Sequence, residues 1–397
     1  MHPKIMRMKA EVLLKLLAIN KKLLIPLLIT VTIALMICAG LFLFKPTGNK
    51  TIINSPQNSI ITPETSAKKA EDYIRYSHIS TDIGGKQEIN ILSIDLKNSP
   101  LTIRPVLSFD SLFGFEKLST MVGRYKTYAA VNAGFFYEYG EPAGMVAING
   151  KLLTQSNGKF PVFIYDSQKP KLEEIKTNVW LVHNGSKLEV SGLNVRGTKG
   201  AAVVYTPEYG QTNRAELPNV SIEIRNGKIS KTDMYKKEAY IPEDGILISF
   251  YQPFDESKIF NQFKLNDKVD IATSPELNKD YQAYECGSWL IKNGEIVVPE
   301  KDEWIGIMSN QDPRTAIGIM KDDSMILITV DGRQPGYSKG LTGKQLAQFL
   351  LEYGAVDAAM LDGGASTEMI INGRLVNKPS FKGEERLLGG GLMIMEK

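Results

Sequence analysis

The sequence predicts a β-rich domain with few helices, carried behind an apolar N-terminal segment. Three observations give this reading. Runs such as Val179-Trp180-Leu181-Val182, Val220-Ser221-Ile222-Glu223-Ile224 and Gly245-Ile246-Leu247-Ile248-Ser249-Phe250 are short, β-branched or aromatic, and bounded by turn residues. Asn-Gly pairs at 149–150, 226–227, 293–294 and 372–373 are the pairs that tight hairpins use, because both positions tolerate positive φ. Helical periodicity is confined to two stretches, 112–125 and 342–353. With the strongest signals on both sides of the β-rich middle, one domain whose ends pack together is expected, over 73–397.

Residues 1–22 carry Lys4, Arg7, Lys9, Lys15, Lys21 and Lys22 against Glu11 alone, and lead into an uncharged run over 23–44. That run is long enough to span a bilayer, and the positive charge before it places the start in the cytoplasm and the domain outside. A cleaved signal peptide is the rival reading, with an apolar core usually about 7–15 residues long. Leu35-Met36-Ile37-Cys38 is a loose lipoprotein-like site with a bulky Ile where a small residue is expected. From 45 to about 72 the composition turns to Pro, Ser, Thr, Asn and Lys, which reads as a tether.

The folded part opens with an alternating strand at 89–96, expected to pair with a second at 101–106. A helix is expected over 112–125. Tyr128-Ala129-Ala130-Val131 then reads as a buried strand ending at Asn132-Ala133-Gly134, with Phe135 and Phe136 read as core. Glu141 opens a loop and hairpin whose turn is Asn149-Gly150. Further on, Arg314-Thr315-Ala316-Ile317-Gly318-Ile319 and Met325-Ile326-Leu327-Ile328-Thr329-Val330 form a hairpin that ends in Asp331-Gly332-Arg333. Thr342 and Gln345 make a capping box for the second helix, Leu346, Phe349, Leu350 and Tyr353 share one face, and Gly354 stops it. The strand from Ala355 to Leu361 delivers Asp362 to the rim of a sheet, and Asn372-Gly373 turns the hairpin that follows.

Composition removes several function classes. Net charge is +3 and basic residues are interspersed with acidic ones after the N-terminus, so a nucleic-acid partner is not expected. Cys38 and Cys286 are the only cysteines and the three histidines are scattered, which disfavours a disulfide, a cysteine metal site and a His-rich zinc centre. A divalent cation is left open.

Three strand edges, at Asn132, Asp331 and Asp362, end in polar residues beside glycine, with Arg314 and Arg333 near two of them. Asn132 can donate to and accept from a sugar hydroxyl or phosphate oxygen. Gly363 and Gly364 allow a backbone to press close to a ligand, while Ser366 and Thr367 add hydroxyls. Two aspartates with planar guanidinium forks nearby suit acid/base work on an anionic substrate. The bland alternatives are that Asp362-Gly363-Gly364 is only a tight turn and that Arg314 and Asp331 pair to close a hairpin.

Asn132-Ala133-Gly134-Phe135-Phe136, Arg314-Thr315-Ala316-Ile317-Gly318, Asp331-Gly332-Arg333 and Asp362-Gly363-Gly364-Ala365-Ser366, in this order, resemble the phosphodiester glycosidase family. The resemblance runs from about Lys86 through the glycine-rich Gly389-Gly390-Gly391-Leu392. Ala365 stands where a third glycine is common, and Cys286-Gly287-Ser288 where a Gly-Gly-Pro-like run is frequent. The resemblance implies an α+β fold of mixed sheets with a few packed helices, and hydrolysis of a sugar 1-phosphodiester in envelope or exopolysaccharide metabolism. It implies further that Arg314 and Arg333 hold phosphate and that Asp362 or Asp331 is base or nucleophile. Asn132, Gly363, Gly364, Ser366 and Thr367 would then position the substrate, with Glu141 and Glu368 in reserve. A non-catalytic surface module binding anionic envelope polysaccharide is the alternative, needing the arginines but no particular carboxylate.

Overall fold

Two antiparallel sheets face each other, and each carries a helix on its outer side. The computed structural model describes residues 69–397 except 98; the basic start, the apolar run and most of the tether lie outside the described residues. Among the described residues no helix is long and apolar enough to cross a membrane.

The larger sheet has seven strands in the order Ile74–Asp82, Lys86–Ile94, Met325–Val330, Arg314–Met320, Ala355–Met360, Trp289–Lys292 and Glu295–Ile296. The second has five, in the order Arg374–Leu375, Met369–Ile371, Thr127–Asn132, Gly390–Glu396 and Leu101–Leu107. The alternation of side chains decides which layer each touches. Leu92, Ile94, Ile317, Ile319 and Leu327 of the larger sheet meet Ile103, Ala129, Val131, Leu392 and Ile394 of the smaller one in the central core. Their neighbours one residue away, Ile89, Ile91, Ala316, Ile326 and Ile328, pack against Leu346, Ala347 and Leu350 of the helix Gly343–Tyr353. On the far side, Val106, Ala130 and Met393 receive Leu118, Met121 and Val122 of the helix Leu118–Gly123. These are α+β layers. Four further sheets, of five, five, three and two strands, extend the domain through the middle of the chain.

Thr342 and Gln345 form the expected capping box, and Gly354 closes the helix at φ 107°. The four Asn-Gly pairs expected to turn hairpins have positive φ at both residues, 50° and 75° at Asn149-Gly150 and 48° and 73° at Asn372-Gly373, for example, and Asn184-Gly185 does the same at 48° and 75°. Other expectations fail. The strand Leu101–Leu107 pairs not with Lys86–Ile94 but with the C-terminal strand Gly390–Glu396. Lys86–Ile94 is flanked instead by Ile74–Asp82 and Met325–Val330, which pair both of its edges, while its two faces are buried by the facing sheet and the helix. The helix over 112–125 shrinks to Leu118–Gly123, because the amides of Leu112, Gly114 and Glu116 bond to carbonyls of Glu208, Tyr139 and Leu388 rather than along a helix. The sheets are antiparallel but for the parallel pair Gly192–Leu193 and Ala202–Tyr205.

Leu346 is fully buried between helix and sheet, so Leu346→Ala should lower unfolding stability by about 2–5 kcal/mol. The shift of the urea midpoint at unchanged slope measures it; a loss below half a kilocalorie would show that this layer is not packed as described.

Candidate active site

The larger sheet ends at Met360 and the smaller at Asn132, and the two ends are joined by hydrogen bonds. Asp362 N donates to Ala133 O at 3.1 Å. Asn132 Nδ2 donates to Asp362 O at 2.6 Å, while Asn132 Oδ1 accepts from Thr315 Oγ1 at 2.8 Å and from Glu368 N at 3.1 Å. Asn132 is 1% exposed, so its side chain is consumed by the protein and is not the sugar contact expected of it. It positions the backbone of both Asp362 and Glu368.

The glycines are required by close approach. Gly364 N donates to Pro313 O at 2.9 Å, and a Cβ on Gly363 would sit 2.9 Å from the same oxygen. At Gly364, φ is +61° and a Cβ would lie 3.2 Å from an Arg333 guanidinium nitrogen. Arg333 is thus laid over the loop, with Nε held by Asp312 Oδ1 at 2.8 Å and half of its side chain exposed.

Beneath it a polar chain links two carboxyl groups. The Asp362 carboxyl lies close enough to Ser366 for the hydroxyl to oppose the rise in its proton affinity, and Ser366 Oγ accepts from Arg386 Nη1 at 3.3 Å. Arg386 N donates to Glu368 Oε1 at 2.7 Å. Burial pushes the Asp362 carboxyl up to about 6, against the opposing pull of Ser366 and Arg386. Burial pushes Glu368 further, to about 8; it is 0% exposed, and its Oε2 has no partner. Thr367 Oγ1 is likewise buried without a partner, so it offers no hydroxyl at the surface.

Two expected catalytic residues serve the frame. Asp331 is 1% exposed and accepts from Asn377 Nδ2 at 2.9 Å, Lys378 N at 2.9 Å and Tyr337 OH at 3.1 Å. Asn377 in turn donates to Thr367 O and accepts from Met369 N, so Asp331 braces the segment after the loop. Arg314 is also 1% exposed and directs its fork at Leu341 O (3.0 Å) and Asn310 O (2.8 Å). At 1% exposure its guanidinium is turned into the protein rather than towards solvent, and no ion pair joins it to Asp331. Glu141 stands elsewhere, lining an 820 Å³ cavity with Glu285; that lining contains none of Asp362, Ser366, Glu368, Arg333 or Arg386.

Arg386 went unnoticed in the sequence, where its one signal is its place three residues before the glycine-rich run at 389–391. Only the pairing of Gly390–Glu396 with Thr127–Asn132 brings it to the loop. Among the described residues, no three of His, Cys, Asp or Glu converge as a metal-ligating group.

A carboxyl of raised proton affinity, a hydroxyl and two arginines thus come together where the two sheets end. Residues 218–395 match the family model for phosphodiester glycosidases. The match takes in Arg333, the 362–368 loop and Arg386, and begins well after the Lys86 expected from the motifs. Over 112 residues, 28% of the chain, it is 32% identical to an uncharacterized SPbeta prophage-derived protein, YomE, of Bacillus subtilis (strain 168). Over 106 residues, 23% of the chain, it is 31% identical to the N-acetylglucosamine-1-phosphodiester alpha-N-acetylglucosaminidase of Bos taurus. These stretches span only 17% and 19% of the two relatives' lengths. A solved structure of a hypothetical protein from Synechocystis shares the fold with a TM-score of 0.68 at 19% identity, over 82% of this chain and 62% of that one.

The raised Asp362 value has a stability consequence. A carboxyl that holds its proton more tightly when folded contributes stability below the ordinary carboxylate range, and that contribution is lost as pH rises through about 6. Asp362→Asn should therefore be more stable than the wild type at pH 8, on the order of 1–2 kcal/mol after the weakened Ser366 contact is counted, and not at pH 4. Melting temperatures at both pH values test this, and an equal or lower value for the variant at pH 8 would contradict the burial of a charged Asp362.

Proposed function

We propose that the domain hydrolyses a sugar 1-phosphodiester, with Asp362 as the catalytic carboxylate and Arg333 and Arg386 holding the phosphate. The observation that carries this reading is the grouping of Asp362, Ser366, Arg386 and Glu368 at the loop, where Arg386 bonds Ser366 Oγ and the Glu368 carboxyl and desolvation raises the proton affinity of both carboxyl groups. Water adds to the anomeric carbon as the bond to the phosphate-bearing oxygen breaks, and a phosphate monoester leaves. Because that leaving group is already stable as an anion, proton donation matters less than in ordinary glycoside cleavage. What the site must supply is a carboxylate facing developing oxocarbenium charge, as base or nucleophile, and cations for the phosphate.

Glu368 has a part in this without touching substrate. Were it ionised, its charge would compensate Arg386; kept neutral, it supports the Arg386 backbone and leaves the guanidinium charge for an incoming anion. The activity dependence on pH follows. kcat/KM should rise through about pH 6 as Asp362 ionises and fall through about pH 8 as Glu368 does. Glu368→Gln should remove the alkaline fall while keeping activity at pH 7, whereas Asp362→Asn should lower kcat on the order of a hundredfold or more. Hydrolysis of a chromogenic sugar 1-phosphodiester measures both. Undiminished turnover in Asp362→Asn would remove it from the mechanism, and binding of anionic polysaccharide with no turnover in the wild type would favour a non-catalytic module.

We infer also that the domain works outside the cytoplasm, since the basic start and the apolar run over 23–44 have the composition and length of a membrane anchor. Protease added to intact cells should then degrade the domain. Complete protection would place it inside.

A further inference from the structure

The 820 Å³ cavity that receives Glu141 falls within the roughly 300–1,000 Å³ typical of small-molecule sites and lies at the meeting of the further sheets of five, five and three strands. Its floor is rigid. Ser156 N donates to Thr177 Oγ1 at 2.8 Å and Thr177 N to Ser156 O at 3.0 Å, locking two neighbouring turns together. Glu285, 7% exposed, lies with them and accepts from Met145 N at 3.0 Å. Gly144 leaves room for that carboxyl, since a Cβ there would lie 2.7 Å from Glu285 Oε1.

The walls and rim differ in chemistry from the floor. Asn157 and Asn178 contribute amides, which both donate and accept. Aromatic rings stand at the opening: Tyr137 is 49% and Tyr139 63% exposed. Tyr137 is held edge-on by Trp304 at 5.4 Å, and Phe113 is covered by the Arg214 guanidinium at 3.8 Å. Charge is close to balanced. Lys176, Arg196 and Arg214 stand against Glu141, Glu189, Glu216 and Glu285, and Arg196 and Glu216 neutralise each other at 2.7 Å. A polyanion gains nothing from such a field, whereas an uncharged polyol finds donors and acceptors at the walls and a ring face at the rim.

We propose that this cavity is a carbohydrate-binding site for an uncharged oligosaccharide, separate from the Asp362 loop, with Tyr139 stacking on a pyranose face and Asn178 and Glu285 bonding its hydroxyls. The proposal does not depend on the hydrolase reading, because it is tested by binding alone. Hexamers of glucose, mannose and N-acetylglucosamine are titrated calorimetrically into the full-length chain and into Tyr139→Ala, Asn178→Ala and Asp362→Asn. Tyr139 is surface-exposed, so its truncation leaves the core intact. The expected result is that at least one hexamer binds the wild type, that Tyr139→Ala and Asn178→Ala each weaken it by about fivefold or more, and that Asp362→Asn does not. Absence of binding by all three hexamers would overturn the proposal. So would wild-type affinity in both cavity variants, or a loss confined to Asp362→Asn, which would put the sugar at the loop instead.

Discussion

The side chain of Asn132 is the constraint on which the candidate site depends. Two sheets can pack face to face in many relative positions that bury similar apolar area, because the hydrophobic effect is not directional. A buried amide with one acceptor oxygen and one donor nitrogen is far more selective, since any slip leaves polar atoms unpaired at a cost of about 1–3 kcal/mol each. Here the oxygen is shared by Thr315 of the larger sheet and Glu368 of the smaller, and the nitrogen is given to the carbonyl of Asp362. One residue thus fixes the register between the sheets and the place where the 362–368 loop leaves them.

The arrangement around it separates charge by depth. Asp331 and Arg314 are the better-satisfied groups, with donors or acceptors supplied by backbone and amide partners. They hold the loop's surroundings from inside the protein, each only 1% exposed. Asp362 and Glu368 are poorly compensated by comparison, and Glu368 keeps one oxygen without any partner. Poor compensation in a buried place is what raises a carboxyl's proton affinity, so the same feature that weakens the fold locally gives the site groups that titrate near neutral pH.

Much of this was legible in the sequence, but unevenly. Local rules worked where the determining interactions are local. The Thr342/Gln345 box, the Gly354 stop and the Asn-Gly turns each depend on residues a few positions apart. So did the identification of the 362–364 loop, where a carboxylate followed by two glycines signalled close backbone approach. Pairing between distant strands was not legible. Leu101–Leu107 alternates as well as its sequence neighbour does, and nothing within it specifies that its partner lies at Gly390–Glu396, near the other end of the chain. The expected helix over 112–125 failed for the same reason, as its amides are claimed by carbonyls from distant loops.

The site residues divide along the same line. An arginine and an aspartate at strand ends beside glycine have identical sequence signatures whether they face solvent or the interior. Burial decides between ligand contact and scaffold, and burial is a property of the whole fold. Arg314 and Arg333 look equivalent as residues, yet one is enclosed and bound to carbonyls while the other lies half-exposed across Gly364. Arg386 shows the converse, a residue with no motif of its own that the closing strand carries to Ser366. The last strand of the fold therefore does two things at once: it completes the smaller sheet beside Asn132, and the segment leading into it brings Arg386 to Ser366 and Glu368.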